Sequence, residues 1–164
     1  MSNGKVYIGL GANLGNPRET FDAALQELEN IGCTVLKKSS LYWTHPYGFA
    51  DQADFINAVI EVETDLPPMG LLTKVQEIER GLGKKIVCNN GPRVIDLDLL
   101  LYKDVVLGEQ DLVLPHPGIP KRDFVLLPLK EIAPKIRHPV ENQTISNLLE
   151  VLKDRYYTGE TEPW

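Results

Sequence analysis

The sequence predicts an α/β (α+β) fold, an antiparallel sheet on a βαββαβ core followed by extra C-terminal helices. Three observations predict it. Phe55 to Glu63 alternates with period two, as a half-buried strand does. Two other segments repeat their apolar residues at helical spacing. The segments run strand, helix, strand, strand, helix, strand.

Each element has its own reason. Lys5 to Leu10 is an apolar run that reads as a buried strand, ending in the glycine-rich turn Gly9-Leu-Gly-Ala-Asn-Leu-Gly15. Asn16 can cap the helix that follows, Pro17 suits its first position, and Glu19 favours the positive end of the dipole. Phe21, Ala24, Leu25, Leu28 and Ile31 form its stripe, and Gly32 stops it. Cys33 to Tyr42 reads as the second strand, and Thr44 to Asp54 as a loop. In the third strand Ile56, Ala58, Ile60 and Val62 share one face, and Phe55, Asn57 and Val59 the other. Pro67-Pro68 opens a second helix, with Leu71, Val75, Ile78 and Leu82 in line. A glycine- and lysine-bearing loop over 81–92 leads into the apolar strand Val94 to Tyr102. This is the ferredoxin-like order, with helices on one face of the sheet. Beyond it, Val105 to Leu114 suggests a short hairpin. Phe124 to Ile132 suggests a short helix limited by Pro128, and Ile145, Leu148, Leu149 and Leu152 a final one. No repeat or linker interrupts the chain, so residues 1–164 are expected to form one domain.

Composition narrows the function. A formal net charge of −6 gives no basic patch for a sequence-independent grip on nucleic acid. Cys33 and Cys88 fit neither a disulfide framework nor a zinc site and read as free thiols. No segment approaches the ~20 apolar residues that cross a membrane. Met1 to Tyr7 lacks the apolar stretch of a signal peptide. A cytoplasmic monomer acting on small molecules is the default expectation.

The sharpest feature is Gly91-Pro-Arg-Val-Ile-Asp-Leu-Asp-Leu-Leu-Leu101. On a strand, Asp96 and Asp98 point to one face, two carboxylates side by side in an apolar run. Such a pair repels and resists desolvation, so a positive partner is expected. Two readings fit: magnesium, which takes one or two carboxylates plus substrate phosphates, or solvated aspartates bridged to lysines. Aspartate is depleted in strands, which favours the metal. Arg93 is either a salt-bridge partner or a bidentate phosphate contact. The loop Gly81-Leu-Gly-Lys-Lys85 suits a lid over phosphates or a plain surface loop. Pro115-His-Pro117 holds His116 in extended backbone, with Arg122 and Phe124 close behind. The glycines of 9–15 are spaced G-x-G-x-x-x-G, which is not the dinucleotide fingerprint, and read as strand-end geometry.

Taken together the sequence resembles 6-hydroxymethyl-7,8-dihydropterin pyrophosphokinases, from about Tyr7 to about Pro134. The resemblance is carried by Gly11-Ala-Asn-Leu-Gly15, Thr44-His-Pro-Tyr-Gly48, Phe55-Ile-Asn-Ala58 and Gln76-Glu-Ile-Glu79. It continues in Gly91-Pro-Arg-Val-Ile-Asp-Leu-Asp98, Leu114-Pro-His-Pro117, Phe124-Val-Leu-Leu-Pro-Leu129 and Glu131-Ile-Ala-Pro134. It implies transfer of the terminal pyrophosphate of ATP to the pterin's hydroxymethyl oxygen, with AMP released, in folate biosynthesis. It implies two Mg2+ ions on Asp96 and Asp98. Arg93, His116 and Arg122 would contact the triphosphate, with Gln76 and Glu79 near the nucleotide and Lys84 joining in catalysis. Thr44, Pro46, Gly48, Phe55, Asn57 and Phe124 would line the pterin pocket.

Elementary chemistry agrees with those roles. A flat bicyclic ring wants aromatic faces, which Phe55 and Phe124 offer unless they are plain core. Its polar edge wants paired donors and acceptors, which Asn57 offers. The chain departs from the family pattern in one loop. Lys84 stands where arginine is common, Asn90 where tryptophan is frequent, and arginines near Ile86 and Asn89 are missing. Two other readings stay open: a non-catalytic small-ligand sensor, and another magnesium–nucleotide transferase.

Overall fold

The computed structural model describes residues 5–48, 50–84 and 91–164. The expectations for Lys85, Ile86, Cys88, Asn89 and Asn90 lie outside them. The elements come in the order β1 (Val6–Ala12), α1 (Pro17–Asn30), β2 (Thr34–Lys38), β3 (Leu41–Thr44), β4 (Phe55–Glu63), α2 (Pro68–Gly81) and β5 (Asp96–Tyr102). A short hairpin follows, β6 (Leu107–Gly108) with β7 (Val113–Leu114). Then come a 3-10 turn (Ile119–Lys121), α3 (Asp123–Ile132), α4 (Ile145–Val151) and β8 (Tyr157–Glu162).

The result is a mixed α/β fold around an antiparallel sheet of order β5-β1-β4-β3-β8, with β2 also paired to β4. Alternation decides which residues go where. Val6, Ile8, Leu10 and Ala12 join Ile56, Ala58, Ile60 and Val62 on one face, covered by Phe21, Ala24 and Leu28 of α1 and Leu71, Val75 and Ile78 of α2. Tyr7, Val59, Leu100 and Leu101 lie on the other face, under Val125, Leu126 and Leu129 of α3 and Ile145, Leu148 and Leu149 of α4. The expectation of helices on one face therefore holds for α1 and α2, while α3 and α4 add a layer opposite.

Helix starts follow their sequence signals. Asn16 Oδ1 accepts from the Glu19 amide at 3.2 Å, and Thr144 Oγ1 does the same for Asn147. Three boundaries differ from expectation. The strand foreseen over Cys33 to Tyr42 is broken at Ser39-Ser40, because Glu131 of α3 draws Ser40 aside through its amide and its hydroxyl, both at 2.9 Å. The strand foreseen from Val94 starts at Asp96, since Arg93 is held by the turn after β1. Gly9 and Gly11 sit inside β1 and not at its end. Among the described residues no helix is long and apolar enough to cross a membrane.

Candidate active site

The site begins with the register of β1. Gly9 pairs with Asp98 of β5 and Val59 of β4, and Gly11 with Asp96 and Asn57. Both glycines fall on the α3 side of the sheet, as do both aspartates. Where side chains would stand, the sheet shows bare backbone. A Cβ on Gly11 would come within 2.8 Å of Asn57 Oδ1, and one on Gly9 within 3.3 Å of Leu100. The glycines thus floor a cavity of about 120 Å3. Around it stand Thr44, His45, Tyr47, Phe55, Asn57, Arg93, Asp96, Asp98, Arg122 and Phe124. Reading the glycines as strand-end geometry missed this floor. Glycines two apart on a strand, matched to aspartates two apart on another, are the signal that could have found it.

Cations are gathered on the carboxylates. Lys84 Nζ lies 2.9 Å from Asp96 Oδ1 and 2.9 Å from Glu79 Oε2. Arg93 Nε lies 3.6 Å from the same Asp96 oxygen. Arg93 is 9% exposed, and its NH1 donates to the carbonyls of Gly91 and Pro92. Its backbone is tied to the turn after β1. Asn13 and Leu14 amides donate to its carbonyl, and its own amide donates to Asn13 Oδ1 at 2.9 Å. Asn13 Nδ2 also reaches Gln52 Oε1 and the Ala53 carbonyl, so one side chain joins three segments around the site. Asn13 and Tyr47 were given no role from sequence, although both lie in motifs that carry the resemblance.

Electrostatics follow from burial. Desolvation first, and the charge of Asp96 second, push Asp98 up to about 6, against the pull of Arg122 and Lys84. Glu79, 6% exposed, is also raised by burial, though its carboxylate accepts from the Leu97 amide at 2.8 Å and from Lys84. Burial works to lower Lys84, but Asp96 and Glu79 outweigh it and the net direction is up. Among the described residues no three His, Cys, Asp or Glu side chains cluster to hold a metal. The carboxylates that line the cavity are Asp96 and Asp98. Two hard carboxylates leaving most positions to phosphate oxygens and water suit magnesium, and Lys84 shows that Asp96 accepts a cation.

The opposite wall is aromatic. Phe55 and Phe124 both line the cavity, with Tyr47 beside Phe124 at 6.0 Å between ring centroids. The Arg122 guanidinium lies 5.0 Å from the Tyr47 ring and 5.7 Å from that of Phe124. Asn57 Nδ2 donates to Thr44 Oγ1 at 2.7 Å, which fixes the amide's direction. Pro46 and Gly48 share the loop of Tyr47 but do not line the cavity. Gln76 is exposed on α2, one turn before the inward Glu79. His116 stands outside the lining. Its Nδ1 accepts from the Gly118 amide at 2.9 Å, so the neutral ring carries its proton on Nε2. Burial, then Arg122, lower His116 to about 4.

Comparison with known proteins meets these observations. The family model of 7,8-dihydro-6-hydroxymethylpterin-pyrophosphokinase (HPPK) matches residues 7–134. The folic acid synthesis protein fol1 of Pneumocystis carinii is 41% identical over 94% of this chain and 21% of its own. This chain thus spans about a fifth of the fol1 proteins it matches. A 2-amino-4-hydroxy-6-hydroxymethyldihydropteridine pyrophosphokinase of Aquifex aeolicus is 41% identical over 82% of this chain and 84% of its own. Among solved structures, wild-type Plasmodium falciparum HPPK-DHPS with SDX-DHP superposes with a TM-score of 0.72 over 92% of this chain and 44% of its own. At 16% identity that likeness concerns the fold alone. The chain belongs to the 7,8-dihydro-6-hydroxymethylpterin-pyrophosphokinase family.

Proposed function

We propose that this chain transfers pyrophosphate from ATP to 6-hydroxymethyl-7,8-dihydropterin, giving AMP and the pterin diphosphate, in folate biosynthesis. One observation carries the reading at the site. A glycine-floored cavity is lined by two carboxylates with Arg93, and by an aromatic wall on which Arg122 packs. In the reaction the hydroxymethyl oxygen gives its proton to solvent water and bonds to the β-phosphorus. The bond from that phosphorus to the oxygen shared with the α-phosphorus breaks, and AMP leaves.

Asp96 and Asp98 are the residues to hold magnesium, two ions by our reading. When bound, the metal supplies positive charge against the triphosphate and the attacking oxygen. Arg93, Arg122 and Lys84 add fixed and mobile cations for the phosphates, and neutral His116 a donor on Nε2. Gln76 and Glu79 stand toward the nucleotide. Phe55 and Phe124 stack the pterin, Asn57 reads its polar edge, and Thr44 orients Asn57. Pro46 and Gly48 shape the loop above. Lys84, paired with Asp96 and Glu79, would be free to turn to a phosphate where Asp96 holds magnesium. The strand order, with β2 and β3 as one interrupted strand, supports a ferredoxin-like βαββαβ core. We take residues 1–164 as a single catalytic domain, a monomer of the cytoplasm.

A product assay tests this. The protein is mixed with ATP, magnesium and 6-hydroxymethyl-dihydropterin, and the nucleotides are separated. AMP that appears only with pterin and magnesium together is the expected result. ADP in place of AMP would mean a simple kinase. No turnover in a folded sample that still binds ATP would favour a sensor.

A further inference from the structure

The matched family segment ends at residue 134, yet the site's aromatic wall does not. Tyr156 lies just before β8, in a polar tail. Its ring meets Tyr47 edge-on at 5.2 Å and Phe124 edge-on at 6.0 Å. Both partners line the cavity, and Tyr156 does not. It stands behind them.

The backbone of Tyr156 is clamped from two sides by the site itself. Its carbonyl accepts from the His45 amide at 2.7 Å, and His45 borders the cavity. Its amide, with that of Tyr157, donates to Asp123 Oδ2 at 2.9 Å each. Asp123 is 0% exposed and sits between Arg122 and Phe124, at the first position of α3. There it could serve the helix end, but it is turned to the tail instead. Its other oxygen, Oδ1, is buried without a hydrogen-bond partner among the described residues. Burying a carboxylate for two tail amides is costly, and the cost is met at the one point where α3 presents site residues on both sides.

We infer that Tyr156 is a positioning residue for the pterin, holding Phe124, directly and through Tyr47, in the aromatic wall that it forms with Phe55. It rests on the pterin pyrophosphokinase reading. Tyr47 is on a loop, and Phe124, at a helix start, lines the cavity. Without Tyr156 both rings gain rotamer freedom that pterin binding must then remove. A preset wall lowers that cost chiefly for the pterin. On the ATP side Asp96 and Asp98 stand on β5 and Arg93 just before it, and of the phosphate residues Arg122 is the one that leans on these rings.

The test compares Tyr156→Ala, Tyr156→Phe and Trp164→Ala with the wild type. Trp164 anchors the far end of the same tail, on Phe21 at 5.7 Å and on Asp22, away from the cavity. AMP release is measured against pterin concentration at saturating magnesium and ATP. Calorimetry gives the Kd of the same pterin and of a non-hydrolysable ATP analogue. Tyr156→Ala should raise pterin KM and Kd about tenfold. Its kcat should stay within about twofold, and ATP affinity should fall far less than pterin affinity, since only Arg122 among the phosphate residues leans on these rings. Tyr156→Phe should restore pterin binding, and Trp164→Ala should leave it alone. An unchanged pterin KM in Tyr156→Ala, or an equal rise in Trp164→Ala, overturns the proposal in favour of a merely structural tail. If Tyr156→Ala fails to fold, Tyr156→Leu, with apolar bulk but no ring edge, carries the same expectation. A wild type that binds pterin but releases no AMP defeats the reaction reading, and the Kd comparison still decides the role of Tyr156. A wild type that binds no pterin overturns both.

Discussion

Gly11 bears more of the site than its lack of a side chain suggests. A methyl group there would press on Asn57 Oδ1 at 2.8 Å, and Asn57 is already fixed by Thr44. Gly11→Ala should therefore raise pterin KM about tenfold, while stability changes by less than ~1 kcal/mol, since alanine also restricts the unfolded chain. Gly9→Ala meets only the side chain of Leu100, at 3.3 Å, farther off than the 2.8 Å at Gly11, and should do less. Steady-state kinetics of the two variants check the contrast. His116 gives a second expectation. Its folded value, about 4, lies below the ordinary 6.5, so folding favours the neutral ring. That contribution is complete above pH ~6.5 and is lost as pH falls through ~4, amounting to at most ~3 kcal/mol. Urea titrations from pH 7 to 4 should show a shallower loss for His116→Gln than for the wild type. Equal slopes would place the titration elsewhere.

Elements were legible where one face alone decided them. The alternation in β4 and the stripes of α1 and α2 put Ile56, Ala58, Phe21 and Leu71 where periodicity says they belong. Elements set by distant partners were not legible. Nothing local in Leu36 to Leu41 announces that Glu131, about ninety residues on, will collect the Ser40 amide, the Ser40 hydroxyl and, at 2.7 Å, the Tyr42 hydroxyl. Nor does Tyr157-Thr-Gly-Glu-Thr-Glu162 carry an apolar face. It is an edge strand held by pairing to β3 and by Asp123. The aspartate pair was visible from two-residue spacing, but the cavity above it needed β1 alongside in register. Glu131→Ala should remove three accepted hydrogen bonds at once and cost about 1–3 kcal/mol. A lowered urea midpoint with unchanged slope would report it. No change would mean that the break at Ser39-Ser40 is set by the serines alone.

At the scale of the whole molecule, ligand binding and stability are linked, because only the folded sheet brings Asp96 and Asp98 to the arginines. Magnesium with a non-hydrolysable ATP analogue, at about a hundred times its Kd, should add ~2.7 kcal/mol and raise Tm by roughly 5–10 °C. A chelator should reverse the shift, and Asp98→Asn should nearly erase it while folding normally. A shift that survives both would mean nucleotide binding without the metal. The pairing of Gly9 with Asp98 and Gly11 with Asp96 has one more consequence, for folding fidelity. A slip of β5 by one residue would turn both aspartates into the apolar layer beneath α1 and α2 and bring Leu97 and Leu99 out into the site. Two bare carboxylates buried among Phe21, Leu71 and Val75 are far costlier than any pairing gained. The same two charges therefore proofread the sheet as it assembles, and a chain that folds at all folds with its site in register.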